Sequence, residues 1–297
     1  QIVAEQIGGI EPAKTLLLRA IENGKDIVTA NKALIAECGD ELFRAAEGNG
    51  VDLLFEASVC AGIPIVQSLT RGLAANRIES LYGILNGTTN YILTKMTEEN
   101  RAFEEVLKHA QEQGFAEPDP TFDVDGTDAA QKLAILSRVA FGSAVRVEQV
   151  YKEGIDKIDA QDIDFARELG YTVKLLAVAK LSEGKLEARV HPTMIESSSL
   201  LANIRNEFNA VEVEGDAVGT QVFYGRGAGE MPTASASVSD VIELAIRRCG
   251  GGRRMETVWP FEDRFPVVPM EEIVSSYYMR FLVVDQPGVL AEIARIL

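Results

Sequence analysis

Histidine and cysteine are scarce in this sequence, with His109 and His191 the two histidines and Cys38, Cys60 and Cys249 the three cysteines among 297 residues. Two histidines so far apart exclude a zinc centre of the usual kind. An odd cysteine count with no CxxC spacing excludes a disulfide framework and fits a reducing compartment. Positive charge is in deficit as well: 29 Lys and Arg stand against 45 Asp and Glu, a formal charge of −16, which argues against nucleic acid as the main partner. Long apolar runs are missing, since no stretch approaches the roughly 18 residues a spanning helix needs, and no basic-then-apolar leader opens the sequence. These absences give the expectation of a cytoplasmic protein with neither membrane nor nucleic-acid partner.

What is present is a chain that can build a core: 46% of its residues are apolar and 25% charged. The length suits roughly two domains. It opens in the strand-like Ile2-Val3-Ala4 and stops in the helix-like Arg295-Ile296-Leu297, so truncation at both ends is expected.

The first sixty residues alternate strand and helix signals. Ile2 to Ile7 reads as a strand, followed by a helix opened by Glu11-Pro12 and closed by Gly24. Asp26 to Thr29, a helix from about Ala33 to Glu47, and Val51 to Phe55 complete the series. Short connections between such elements imply right-handed parallel crossovers and hence part of a doubly wound parallel sheet. Ligands of such sheets sit beyond the carboxyl ends of the strands. Those ends carry Gly8-Gly9, Thr29-Ala30-Asn31-Lys32 and Glu56-Ala57-Ser58. Adjacent glycines allow a ligand close to the backbone, Lys32 offers a cation and Glu56 a carboxylate. A plain turn accounts for Gly8-Gly9 equally well.

From Ile63-Pro64 the pattern becomes α+β, with longer antiparallel-looking strands at Arg77 to Leu85, Tyr171 to Lys180 and Lys185 to His191. Phe103 to Gln113 carries a helical apolar stripe that leaves His109 near the polar side, where it reads as a solvated helix residue. Glycine, charge and proline from Gly250 to Pro269 read as a linker.

Three motifs carry candidate chemistry. The acidic loop Glu117 to Asp128 runs into Ala129 to Leu136; a helix starting near Gly126 would put Asp125, Asp128 and Lys132 on one face. Those three fit ordinary capping and an i,i+4 ion pair. They also fit a lysine held against carboxylates as a proton donor. Calcium ligation is a third reading, but EF-hand spacing is absent. The second motif, Gly83 to Tyr91, ends a strand and opens a helix, where Asn86 and Thr88 act either as caps or as part of a carboxylate-holding turn. The third, Gly225 to Thr233, places repeated glycines before a helical stretch from Ala234 to Ala245 and lacks the ending of a phosphate-binding P-loop.

Together, Ile7 to Pro12, Val28 to Leu34, Asn86 to Tyr91, Glu117 to Lys132 and Gly225 to Thr233 resemble homoserine dehydrogenase over about residues 1 to 250. The resemblance implies NAD(P)-dependent interconversion of L-aspartate 4-semialdehyde and L-homoserine, on the way to threonine and methionine. It implies Lys132 as proton donor and acceptor at the substrate oxygen, and Lys32 as a cofactor-contacting lysine beside the reaction centre. Glu117, Asp123, Asp128 and Thr88 fall at substrate positions, with Glu117 on the amino group; Gly8, Gly9 and Gly229 fall where backbone meets the dinucleotide. A monovalent cation, sodium, is implied on the Glu56 carboxylate and the carbonyls of Val59, Ala61 and Ile63, an oxygen-rich set that suits a hard ion. Cys60, in that loop, reads as a packing residue because no base is identified for it.

The domain expectation is a remainder of a Rossmann-like nucleotide-binding domain at 1–62 and an α+β substrate and dimerisation domain at 63–227. A returning segment follows at 228–252, then a linker at 253–275. Residues 276–297, with Tyr277 to Leu290 at their centre, resemble the opening of an ACT domain, which implies a threonine effector; a solvent-facing βα appendage is the plainer reading. The glycine-rich dinucleotide fingerprint and the acidic ribose ligand are not in this sequence, which leaves NAD against NADP unread. A homodimer or homotetramer is implied. The competing functions are a non-catalytic amino-acid-binding regulatory remnant and a dehydrogenase of another amino-acid semialdehyde.

Overall fold

The computed structural model describes residues 1–250 and 259–296. Strands β1 (Ile2–Glu5), β2 (Asp26–Thr29) and β3 (Leu53–Leu54) pair in parallel in that order. Between them lie α1 (Ala13–Glu22) and α2 (Lys32–Gly48). Helix α1 faces the sheet with Ala13, Leu17 and Ile21, a spacing of four that keeps one stripe inward. Asn31 caps α2, its side chain accepting the Leu34 N–H at 3.1 Å. Strand β1 stops at Glu5, short of Ile7, because the Glu5 carboxylate takes the N–H groups of Ile7 (2.7 Å) and Gly8 (3.2 Å) and turns the chain.

After a short α3 (Ile65–Gln67), the chain builds a second sheet. Its elements in order are β4 (Ile78–Ile84), α4 (Gly87–Glu99), α5 (Phe103–Glu112), α6 (Thr121–Val124), α7 (Thr127–Phe141), β5 (Tyr151–Lys152) and α8 (Ala160–Glu168). Then come β6 (Tyr171–Ser182), β7 (Lys185–Glu196), β8 (Phe208–Gly215) and β9 (Gly219–Arg226). The sheet order is β5-β7-β6-β4-β8-β9, antiparallel except where β5 meets β7. Helix α7 is buried from Asp128 through Arg138, the pattern of a helix enclosed on all sides.

Helix α9 (Glu230–Cys249) begins earlier than the sequence pattern indicated and returns to the first sheet. There Asp240 Oδ2 accepts the Glu56 N–H at 2.9 Å, and Gln6 reaches Ser237 at 3.0 Å.

The expected linker falls partly outside the described residues, at 253–258. Its described part is docked: Trp259 is buried against Phe43, and Leu186 bridges to Val267. The strand expected within Tyr277 to Val284 is not formed among the described residues, where no neighbouring strand pairs with it. Leu282 and Val284 are exposed, Arg280 and Tyr278 tie the segment to α8, and α10 (Val289–Ile296) follows. Among the described residues no helix is long and apolar enough to cross a membrane.

Candidate active site

The carboxyl end of β4, the start of α4 and the start of α7 converge on one buried cluster. Lys132 lies in the second turn of α7, and its Nζ donates to the Leu85 carbonyl at 2.7 Å and to Asp128 Oδ2 at 2.7 Å. The other Asp128 oxygen meets Lys32 Nζ at 3.0 Å, from the first residue of α2. Asn86 caps α4, its Oδ1 accepting the Thr89 N–H at 2.8 Å. Its Nδ2 donates to both Asp123 (2.7 Å) and Asp128 (2.9 Å).

Burial acts to raise the Asp128 pKa, but the two ammonium groups and the Asn86 amide outweigh it and hold the carboxyl at about 2. Burial likewise acts to lower the Lys132 pKa, and the charge of Asp128 more than reverses it, leaving the lysine above its ordinary value. Asp123, with no cation bonded to it among the described residues, is raised by its burial. The cluster therefore presents a protonated lysine held in place by a carboxylate and a carbonyl, a group built to donate a proton.

The expected trio on one helix face is corrected by the structure. Gly126 precedes α7 in a left-handed conformation (φ +84°), so Asp125 lies outside the helix. Its carboxylate accepts from the Thr127 N–H at 2.8 Å and from Lys152 at 2.8 Å. Asp128 and Lys132 stay together; Asp125 belongs to a separate surface pair. Thr88 donates to the Phe115 carbonyl at 2.8 Å. Glu117 is exposed on the loop after α5 and, among the described residues, its carboxylate has no hydrogen-bond or ion-pair partner. Asn86, read from sequence as a cap or turn residue, also bonds both carboxylates; its signal was a cap residue followed by glycine and two threonines.

At the ends of the parallel strands, Gly8 and Gly9 both take positive φ (+78° and +69°), with open space where a side chain would stand. The Gly9 carbonyl accepts from the Asn31 side chain, which ties this turn to the start of α2 and so to Lys32. Gly229 precedes α9 at φ +123°.

The Glu56 loop packs beneath. Both Glu56 oxygens accept backbone N–H groups, from Val66 (2.9 Å) and Gln67 (2.7 Å), and burial raises its pKa to about 7. The Ile63 carbonyl accepts the Ile65 N–H at 2.7 Å, whereas those of Val59 and Ala61, on residues 0% and 7% exposed, accept no hydrogen bond from the described residues. Cys60, between them, is buried, and Asn209 donates to its sulfur at 3.4 Å.

A parallel sheet ending in left-handed glycines, placed so that its lysine meets a carboxylate of a second domain, is the construction of a two-domain, dinucleotide-dependent oxidoreductase. Comparison with known proteins narrows this class. Residues 1–56 match the family profile described as homoserine dehydrogenase, NAD binding domain, and residues 64–242 match that described as homoserine dehydrogenase. A homoserine dehydrogenase of Neisseria gonorrhoeae is 49% identical over 300 residues, spanning 100% of this chain and 69% of that protein. One of Bacillus subtilis is 45% identical over 99% of this chain and 68% of its own length. The crystal structure of a homoserine dehydrogenase from Thiobacillus denitrificans superposes with a TM-score of 0.91 at 46% identity, covering all of this chain and 69% of that one. A hyperthermophilic archaeal homoserine dehydrogenase in complex with NADPH gives 0.71 at 30% identity, over 83% of this chain and 72% of that one. The chain belongs to the homoserine dehydrogenase family, a family of NAD(P)-dependent oxidoreductases that act on a small molecule.

Proposed function

We propose that this chain interconverts L-aspartate 4-semialdehyde and L-homoserine, with Lys132 as the proton carrier. The observation that carries this reading is the protonated, buried Lys132 fixed by Asp128 and the Leu85 carbonyl. Two of its three N–H bonds are used within the protein, which leaves the third for a substrate oxygen. When bound, the nicotinamide exchanges hydride with the substrate carbon. In the reducing direction Lys132 stabilises negative charge growing on the aldehyde oxygen and then gives it the proton; in the oxidising direction the neutral lysine takes the hydroxyl proton back.

In this reading Asp123 and Asp128 hold the substrate ammonium, with Glu117 completing that set from the exposed loop and Thr88 contributing beside them. Gly8, Gly9 and Gly229 line the backbone against which the dinucleotide lies, and Lys32 reaches the reaction centre from the cofactor side. Val59 and Ala61, with carbonyls that accept no hydrogen bond from the described residues, fit a monovalent cation together with Glu56 and the Ile63 carbonyl; sodium suits this oxygen set. The proposal also takes in a homodimer or homotetramer, threonine as an effector through the C-terminal segment, and a cytoplasmic setting.

The test is nicotinamide absorbance on adding L-homoserine with NAD or NADP, against a panel of other amino alcohols. Turnover with homoserine is expected. Turnover with another amino alcohol alone would move the assignment to a different semialdehyde, and none with any of them would favour a regulatory role.

A further inference from the structure

Trp259, the single tryptophan of the sequence, lies away from the lysine and carboxylate cluster and is 3% exposed. Its ring stacks on Phe43 of α2 with centroids 4.6 Å apart and planes 12° apart. From the other domain, Arg138 of α7 holds its guanidinium 4.5 Å from the ring centroid. The indole N–H donates to Asp40 of α2 at 2.8 Å, and Arg138 forms an ion pair with that same carboxylate while donating to the Pro260 carbonyl at 3.2 Å. Gly39 makes room: a Cβ there would stand 2.4 Å from the indole.

The segment carrying the indole is pinned to the substrate domain. Ala144 donates to the Glu262 carbonyl at 2.7 Å, and the Phe265 N–H to Ser143 at 3.0 Å. Leu186 and residues 266–268 exchange backbone bonds of 2.9 and 2.8 Å. Trp259 thus acts as part of the substrate domain pressed on a helix of the nucleotide-binding domain.

Two ion pairs among the described residues then cross between α2 and α7. Lys32 meets Asp128 at the N-terminal ends, and Asp40 meets Arg138 further along. The second contact lies ~12 Å down α2 and ~15 Å down α7 at 1.5 Å per residue. The helices are therefore tied side by side at two levels, with both N-termini at the site. Two rigid helices joined at two levels change their angle only by breaking one tie.

We propose that Trp259, Arg138 and Asp40 form an interdomain latch that sets the Lys32–Asp128 contact, which makes them positioning residues for the reaction. The proposal rests on the reading that Lys32 works at the reaction centre. Loosening the latch lets α2 swing against α7, so Lys32 loses its place while the homoserine side, carried by α4, α6 and α7, keeps its own.

The test is a double-mutant cycle on homoserine oxidation, with Asp40→Asn and Trp259→Leu, each alone and with Lys32→Met. Asp40 is half exposed and Asn keeps its shape, and buried-indole emission from Trp259 reports whether Asp40→Asn retains the fold. The latch predicts a fall in kcat/KM of about five- to tenfold in Asp40→Asn, with homoserine KM within about twofold of wild type. It also predicts little further loss when Lys32 is already Met. Undiminished kcat/KM in both latch variants, or losses that multiply in full with Lys32→Met, would overturn the latch alone. Wild-type turnover in Lys32→Met would overturn the role of Lys32, and the latch with it.

Discussion

Lys32 and Asp128 meet at 3.0 Å across the boundary of the two domains, one at the first residue of α2 and the other in the first turn of α7. The same carboxylate holds Lys132 through its second oxygen. A single buried anion therefore holds two ammonium groups, one from α2 and one from α7, and leaves the trio with a net positive charge. In the proposed reaction such a surplus would favour a developing alkoxide over a neutral aldehyde.

Replacing Lys132 with Met keeps the volume of the buried stem and removes the proton. A fall in kcat of about 10²- to 10⁴-fold is expected, the range for loss of a general acid–base group. Homoserine binding, measured by equilibrium titration in the presence of oxidised cofactor, should survive. Wild-type turnover in this variant would refute Lys132 as the proton carrier.

Asp128→Asn tests the electrostatics of the pair. In the wild type burial lowers the Lys132 pKa and Asp128 more than restores it, so removing the negative charge lets burial prevail. Aldehyde reduction needs Lys132 protonated and falls as pH rises through the lysine pKa. In Asp128→Asn that fall should move to lower pH. A pH profile of kcat with its alkaline limb unmoved would show that Asp128 does not tune the lysine.

Much of this site was legible in the sequence because its parts are local. Asp128 and Lys132 are four apart on a helix, and the parallel β1, β2 and β3 follow from alternating strand and helix signals over sixty residues. Asp125 misled because a three-residue spacing counts as one helix face only if the helix has already begun, and Gly126 delays it. The role of Asn86 was hidden because its Nδ2 partners lie 37 and 42 residues downstream. Strands β8 and β9 escaped notice as Glu, Gly and Gln interrupt their apolar runs. Trp259 lay beyond the reach of pattern altogether: a glycine- and proline-rich stretch reads as a connector, and its docking onto Phe43 and Arg138 is purely tertiary.

Glu56→Gln tests the cation loop. An ion that binds only the folded state raises stability by RT ln(1 + [ion]/Kd). Melting in sodium chloride against choline chloride at equal ionic strength should show a higher Tm for the wild type in sodium, at about 2–4 °C per kcal/mol for domains of this size. The variant keeps the Gln oxygen but loses the charge, and at least half of the sodium-specific gain should vanish. Equal gains in the two proteins would remove Glu56 from the cation set.

Lys174 offers a stability test independent of catalysis. It is 2% exposed on β6, donates to Asn90 at 2.9 Å and to the Ile204 carbonyl, and has no ion-pair partner among the described residues. Burial, reinforced by the nearby Arg205, lowers its pKa from 10.5 to about 8. Between those values the unfolded chain holds a proton that the folded one has released, so stability rises with pH across that window and is unaffected by this group below it. The full rise is about 3 kcal/mol, at 1.36 kcal/mol per pKa unit. Lys174→Met leaves the Asn90 oxygen without its donor, a fixed cost, and abolishes the pH dependence. Urea unfolding of both proteins at pH 7, 8, 9 and 10 should show the wild type gaining on the variant from pH 8 upward. A difference that stays level across the series would mean that Lys174 remains charged in the fold, with the Asn90 and Ile204 oxygens sufficient to hold an ammonium group without a carboxylate.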